Sequence, residues 1–182
     1  MDVEPGGIKA ASALPNFGFA GLSLAVVGFA VAAMPFVGPL IGVPFDGSDA
    51  WELDRNRLVL HVLPGVAGAL MGFVLIRVYL RQARNRTAYP GWLPGVVAAA
   101  VVVGVWNGVG PWLLDFLLPA SHSRMFLGIS HFSEFSTEHR VLLEAGCHWL
   151  PALMTLGAVW PAYRLLSLLR PSPGSPGRSL GV

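Results

Sequence analysis

Charge is scarce in this chain, and its absence from long runs is the most restrictive feature of the sequence. Charged residues make up 12% of the 182 residues, against roughly 25% in soluble domains. Segments 10–45, 58–76 and 87–114 contain no Asp, Glu, Lys or Arg, and segment 141–163 contains only Glu144. Because a helix needs about 20 apolar residues to cross the hydrocarbon core, these runs argue against a soluble domain and predict transmembrane helices.

Cysteine and catalytic motifs are also scarce. The only cysteine, Cys147, rules out an intramolecular disulfide and a cysteine-rich metal site, and a small buried hydrophobe is the expected role. No glycine-rich phosphate loop and no nucleophile-elbow pattern occurs in the sequence. The sequence therefore indicates no reaction, and a non-enzymatic role is favoured.

Four apolar segments remain, and they predict an all-α transmembrane protein. The expected crossings are Phe17–Val37, Leu58–Ile76, Trp92–Leu114 and Val141–Ala162. Segments 1–16 and 167–182 are rich in Pro, Gly and small residues. We expect the first to be a flexible N-terminal tail and the second to be a disordered C-terminal tail. Segment 81–91 is expected to be a loop.

An internal repeat relates the two halves of the chain. Each copy has a histidine, a proline three residues later and an arginine sixteen residues after the histidine: His61, Pro64 and Arg77, then His148, Pro151 and Arg164. The preceding runs match as well, because Gly28 and Pro35 have the same spacing as Gly104 and Pro111. The repeat predicts two tandem helical hairpins, at 17–80 and 92–166.

Arginine distribution predicts the orientation. Segment 77–86 carries four arginines and no acid, and the C-terminal side is also basic. By the positive-inside rule both termini are cytoplasmic in a plasma membrane, and the two longer loops are external. The pI near 9.1 is therefore no sign of nucleic-acid binding. The expected partners are the lipid bilayer and other membrane subunits or a second copy.

Small residues predict close helix packing. Gly68 and Gly72 are four residues apart in the second crossing, as are Gly104 and Gly108 in the third. Such spacing lets two helix backbones approach each other closely. Asn107 lies in the middle of the third crossing, where an interhelical hydrogen bond is favoured over a substrate contact.

Gly110-Pro111-Trp112, after Gly104-Val105-Trp106, resembles the Ser-Pro-Trp triplet of the SPW-repeat family of bacterial and archaeal membrane proteins. The triplet is degenerate here, and the first copy has Met34-Pro35-Phe36 at the matching place. The resemblance covers most of Phe17–Leu166. It implies a two-repeat membrane fold and implies no activity.

The two histidines carry the main chemical hypotheses. A proline in a helix frees the carbonyl four residues earlier, which here belongs to Leu60 and Cys147, next to His61 and His148. The repeat predicts that both imidazoles face each other at equal depth near the external surface. Two hypotheses follow for this pair. In the first, both histidines are structural groups at a proline kink; in the second, they are ligands of a haem b held between two helices.

A metal site on the external side is a third alternative. Glu144 and His148 are four residues apart and would share a helical face, and neutral imidazole suits zinc or copper. The further candidate ligands are His131, Glu134, Glu138 and His139. Our expectation is a structural or interaction role, as an accessory subunit of a membrane assembly, with a haem- or metal-binding redox component as the alternative.

Overall fold

The computed structural model describes residues 5–41, 53, 57–85, 89–117, 138, 141–142 and 145–169, with side chains only at some of these positions. Within these ranges every regular element is helical and no strand occurs. Four α-helices follow in chain order: α1 (Pro5–Val37), α2 (Leu63–Asn85), α3 (Leu93–Leu117) and α4 (Leu150–Leu169). This agrees with the predicted all-α architecture.

Three short segments extend these helices. A 3₁₀ turn, Gly38–Ile41, follows α1. A π-helical segment, π1 (Leu58–Val62), leads directly into α2, and a second one, π2 (Ala145–Trp149), leads directly into α4. A turn before α3 is closed by the hydrogen bond from the Leu93 amide to the Pro90 carbonyl, at 3.0 Å.

The first helix is longer than the sequence led us to expect. It begins at Pro5, so segment 5–16 is helical where we expected a flexible tail. Proline favours the first turn of a helix because its φ angle is already helical and its missing amide hydrogen has no partner to lose. Alanine, which follows repeatedly in this segment, is the strongest helix former.

Three helices are long and apolar enough to cross a membrane, among the residues that the structure describes: Phe17–Leu40, Leu58–Asn85 and Leu93–Pro111, with mean hydropathies of 2.1, 2.2 and 1.7. They correspond to the first three predicted crossings. The fourth predicted crossing, Val141–Ala162, overlaps π2 and α4, but residues 143 and 144 lie outside the described ranges. The structure thus shows three membrane-length helices and a fourth helix packed with them.

The helices pack as neighbours in a ring. The most extensive contact is between α1 and α2. Helix α3 packs on α4, and α1 also packs along α4. Helices α2 and α3 make few contacts. The α1–α2 pair is antiparallel, because Gly28 lies against Gly65 and Gly21 lies against Gly72. The α3–α4 pair is antiparallel for the same reason, with Gly104 beside Leu156 and Gly108 beside Ala152.

Apolar side chains point both inward and outward, which is unlike a soluble bundle. One half of the interior is an apolar core that includes Phe17, Leu75, Leu93 and Val159. Many large apolar side chains are exposed instead, and examples with more than half of their surface exposed are Phe19, Phe29, Leu70, Phe73, Val102 and Leu153. Such an extensive exposed apolar surface is suited to lipid.

Candidate functional site

The polar half of the interior lies at the end of the bundle where α2 and α4 begin. Its central feature is the contact between His61 of π1 and His148 of π2, whose ring centroids are 5.2 Å apart with a tilt of 33° between the planes. We call these two side chains the histidine pair. His61 is buried and His148 is half-buried. The repeat predicted that these imidazoles would face each other, and the structure brings them together.

Both histidines occupy the same place in their local structure. Each is the fourth residue of a five-residue π-helical segment, and each is followed by an α-helix whose second residue is proline, Pro64 or Pro151. Proline lacks the amide hydrogen for an ordinary helical bond. A wider turn with hydrogen bonds from residue i to residue i−5 accommodates that loss, and such turns are frequent at functional sites.

The π-helical turn changes which carbonyl the proline leaves without a partner. The amide of Leu63 bonds to the carbonyl of Leu58, five residues earlier. In the same register the carbonyl opposite Pro64 belongs to Val59, whereas our expectation of Leu60 was based on α-helical spacing. The indole N–H of Trp106 in α3 donates a hydrogen bond of 3.1 Å to this Val59 carbonyl. Trp106 therefore supplies the donor that proline lacks.

The distance within the histidine pair discriminates between the proposed cofactors. Two imidazoles on opposite faces of a haem iron have ring centroids more than about 6 Å apart, since each metal–nitrogen bond is about 2 Å and each centroid lies about 1 Å beyond its nitrogen. The observed 5.2 Å is shorter. Two imidazoles on one tetrahedral ion meet at a smaller angle, which brings their centroids to about 5 Å. The centroid distance of the pair therefore matches two imidazoles on one tetrahedral ion and is shorter than two imidazoles across a haem iron require.

Most of the wider predicted metal set lies outside the described residues. Glu138 is exposed, and His131, Glu134, His139 and Glu144 lie outside the described residues. Within the described part of the chain, no group of three or more His, Cys, Asp or Glu side chains could hold a metal ion. Cys147, next to His148, is buried as expected.

Arg57 is a buried residue that our sequence analysis did not single out. Only 1% of its surface is exposed, and it immediately precedes π1. Arg57 and His61 are four residues apart, close to one turn of a π-helix, so both lie on the same side of the chain. The available signal was that Arg57 directly adjoins the apolar run, four residues before the histidine.

Asn107 is buried in α3, with 5% of its surface exposed. Its Oδ1 atom accepts no hydrogen bond from the described residues, so the predicted interhelical bond is not shown for that atom. A buried amide oxygen without a donor is unfavourable in an apolar interior. Asn107 follows Trp106 in sequence and belongs to the same polar half of the bundle.

The structure also locates the residues for which we expect structural roles. Pro35 and Pro111 are buried, the backbone of Trp112 is part of α3, and Arg77 and Arg164 are exposed on α2 and α4. Gly65 and Gly72 lie at close approaches of α1 and α2, where an added Cβ would lie 2.5 and 2.4 Å from the backbone nitrogens of Ala32 and Ala25. Gly68 is less crowded, since an added Cβ would lie 3.5 Å from its nearest neighbour.

No family model, no curated protein and no solved structure matches this chain.

Proposed function

We propose that this protein is a multi-pass integral membrane protein with a structural or interaction role, as an accessory subunit of a larger membrane assembly. The observation that supports this role is that the polar groups at the helix junctions engage one another. His61 contacts His148 across the bundle, and the Trp106 indole donates to the Val59 carbonyl. These contacts join the α1–α2 pair to the α3–α4 pair. Apart from them, α2 and α3 make few contacts.

The proposed topology has four crossings, arranged as two tandem hairpins at 17–80 and 92–166, with both termini cytoplasmic in the plasma membrane. Support for the repeat comes from the matching register of π1 with α2 and of π2 with α4. One feature departs from an exact repeat. In the first copy Gly28 lies against Gly65, and the repeat equates these residues with Gly104 and Ala152. In the second copy, however, Ala152 lies against Gly108, one turn further along α3. Membership of the SPW-repeat family, with Gly110-Pro111-Trp112 as its triplet, is part of this proposal.

The structural role predicts that His61→Gln leaves the protein folded. Glutamine keeps a hydrogen-bonding group, so the expected loss is about 1 kcal/mol of unfolding free energy. The experiment combines unfolding in detergent micelles with an absorption spectrum of the purified full chain. A Soret band in the wild type that is lost in both His61→Gln and His148→Gln would overturn the structural role and establish a haem-binding component.

A second candidate function is binding of a divalent transition metal by the histidine pair, favoured by the centroid distance of 5.2 Å. Neutral imidazole is a good ligand for such ions. The test is titration of the full chain with Co²⁺, whose absorption reports tetrahedral coordination. His61→Gln and His148→Gln should each abolish the spectrum. The matched control is His122→Gln, at a histidine that belongs to neither the pair nor the wider predicted metal set, and it should retain the spectrum. The candidate would be rejected if the wild-type chain gave no such spectrum, or if the spectrum persisted in both variants.

A further inference from the structure

The opposite end of α2 carries a cavity that the proposed function does not use. It has a volume of about 450 Å³, and the residues that matter for its chemistry are Val74, Arg77, Val78, Arg81, Gln82 and Trp92. Arg77 and Arg81 are four residues apart on one face of α2 and are both exposed. A smaller depression of about 360 Å³ adjoins it and shares these two arginines with Arg84.

Gln82 is the unusual member of this cavity. Its side chain is buried, with 6% of its surface exposed, and its Nε2 atom makes no hydrogen bond with the described residues. An amide nitrogen can only donate. The Nε2 atom is itself covered by protein, so it reaches an acceptor in the adjoining cavity when the Gln82 side chain rotates toward it. A buried donor left unpaired would otherwise be unfavourable.

Charge and polarity divide the cavity into two parts. The arginines and Gln82 form a wall of donors, and segment 77–114 contains no Asp or Glu that would neutralise them. Val74 and Val78 provide an apolar wall, and Val74 lies nearer the middle of the bundle than the two arginines. Trp92, more than half exposed, stands at the edge, where amphipathic aromatic rings are enriched in membrane proteins.

We propose that this cavity binds the headgroup phosphate of an anionic phospholipid. The guanidinium groups of Arg77 and Arg81 pair with the phosphate, since arginine matches its oxygens in charge and geometry. After rotation of its side chain, the Gln82 Nε2 donates to a third acceptor of the headgroup, and one acyl chain lies along Val74 and Val78. Basic pockets between transmembrane helices are a known means of binding anionic lipid headgroups. The apolar wall favours a lipid over free phosphate.

Native mass spectrometry of the full chain in detergent micelles tests this site. Phosphatidylglycerol and phosphatidylcholine with the same acyl chains are added separately, and inorganic phosphate is added in a third arm. We expect the wild type to retain phosphatidylglycerol preferentially. The Arg77→Gln/Arg81→Gln variant should lose this preference by about tenfold, as expected for two arginines near an anionic headgroup. The control Arg170→Gln/Arg178→Gln removes the same charge in segment 170–182, which lies outside the described residues, and should retain the preference.

Gln82→Leu separates lipid binding from a purely structural role of Gln82. With a lipid acceptor in the cavity, the variant should lose several-fold in retention of phosphatidylglycerol while retaining its fold. Unchanged retention in Gln82→Leu, equal retention of both lipids by the wild type, or inorganic phosphate that displaces phosphatidylglycerol would each overturn the proposal. None of these results bears on the histidine pair, which lies at the other end of α2.

Discussion

At the scale of single residues, the polar groups inside this bundle matter most, because each must be satisfied by protein when water is absent. Arg57, His61 and Asn107 are all nearly fully buried. His61 contacts His148, and Arg57 lies one π-helical turn before His61. One end of the bundle thus concentrates groups that an apolar interior would not tolerate singly.

Tyr89 gives a prediction about pH dependence at the same scale. Burial raises the pKa of the Tyr89 phenol above its usual value of 10.0, and its ring packs against Phe17 with centroids 5.3 Å apart. A group whose pKa is raised on folding contributes stability that is complete below the unfolded pKa and is lost as pH rises through the folded pKa. We therefore expect the unfolding free energy in micelles to fall as the pH rises above about 10, the ordinary phenol pKa.

Tyr89→Phe should reduce this alkaline loss of stability. The variant also removes a covered hydroxyl that has no hydrogen-bond partner among the described residues, so stability at pH 8 should be unchanged or higher. Tyr163→Phe, which removes an exposed phenol, should leave the alkaline loss in place. Identical pH profiles for wild type and Tyr89→Phe would contradict the prediction.

At the scale of the helices, the junction of π1 with α2 depends on a donor from another helix. The carbonyl of Val59 faces Pro64 in the π-helical register and accepts a hydrogen bond from Trp106 instead. Trp106→Phe should therefore lower the unfolding free energy by about 1–3 kcal/mol, because the carbonyl is left without its donor. Trp160→Phe, at an outward-facing position that is 61% exposed, should change stability by less than about 0.5 kcal/mol.

A double-mutant cycle with Pro64→Ala identifies the cause of that loss. Alanine at position 64 regains an amide hydrogen that can reach the helical carbonyls behind it. Trp106→Phe should therefore lower stability less in the Pro64→Ala background, with a coupling of about 0.5–3 kcal/mol. Losses of equal size in the two backgrounds would show that the indole does not replace the missing amide donor.

The α1–α2 pair gives a second prediction at this scale. An added Cβ at Gly28 would lie 2.4 Å from the backbone nitrogen of Ala69 and 2.6 Å from the carbonyl oxygen of Gly65. These are backbone atoms that cannot rotate away, so Gly28→Ala should lower the unfolding free energy by about 2 kcal/mol or more. Gly157→Ala is the control, because an added Cβ there meets nothing within 4 Å. Equal unfolding free energies for the two variants in micelles would refute the close contact.

The helices and the histidine contact could be predicted from the sequence for different physical reasons. Apolar runs of membrane length suffice to locate helices, and the repeated spacing of His61 and His148 was enough to predict that the rings meet. The Val59–Trp106 bond could not be predicted, because it depends on a π-helical register rather than an α-helical one. The burial of Arg57 was missed because arginine next to a loop is usually solvated.

At the scale of the whole molecule, the distribution of apolar side chains indicates the surroundings of the bundle. Small residues bring α1 and α2 into backbone contact, while Phe29, Phe73 and Leu153 are more than 60% exposed. Helix packing in lipid depends on close backbone approach, since lipid chains are as apolar as leucine and give no hydrophobic drive between helices. Three membrane-length helices among the described residues fit a multi-pass membrane protein.

The orientation of that bundle is the prediction at this scale. The end of α2 carries Arg77, Arg81 and Arg84, all exposed, and arginine in short loops is enriched on the cytoplasmic side. We expect Arg84 to face the cytoplasm and Asp49, which lies outside the described residues, to face the exterior. Single cysteines at these two positions, in a Cys147→Ser background, are treated with an impermeant thiol reagent on intact cells.

Asp49→Cys should label on intact cells, whereas Arg84→Cys should label only after the membrane is permeabilised. Labelling after permeabilisation serves as the control for accessibility, because Arg84 is exposed at the end of its helix. The reverse pattern would place the basic end of α2 outside the cell. The anionic-lipid cavity would then face the outer leaflet, which is not the side on which the positive-inside rule places arginines. The histidine pair would lie toward the cytoplasm instead of the exterior.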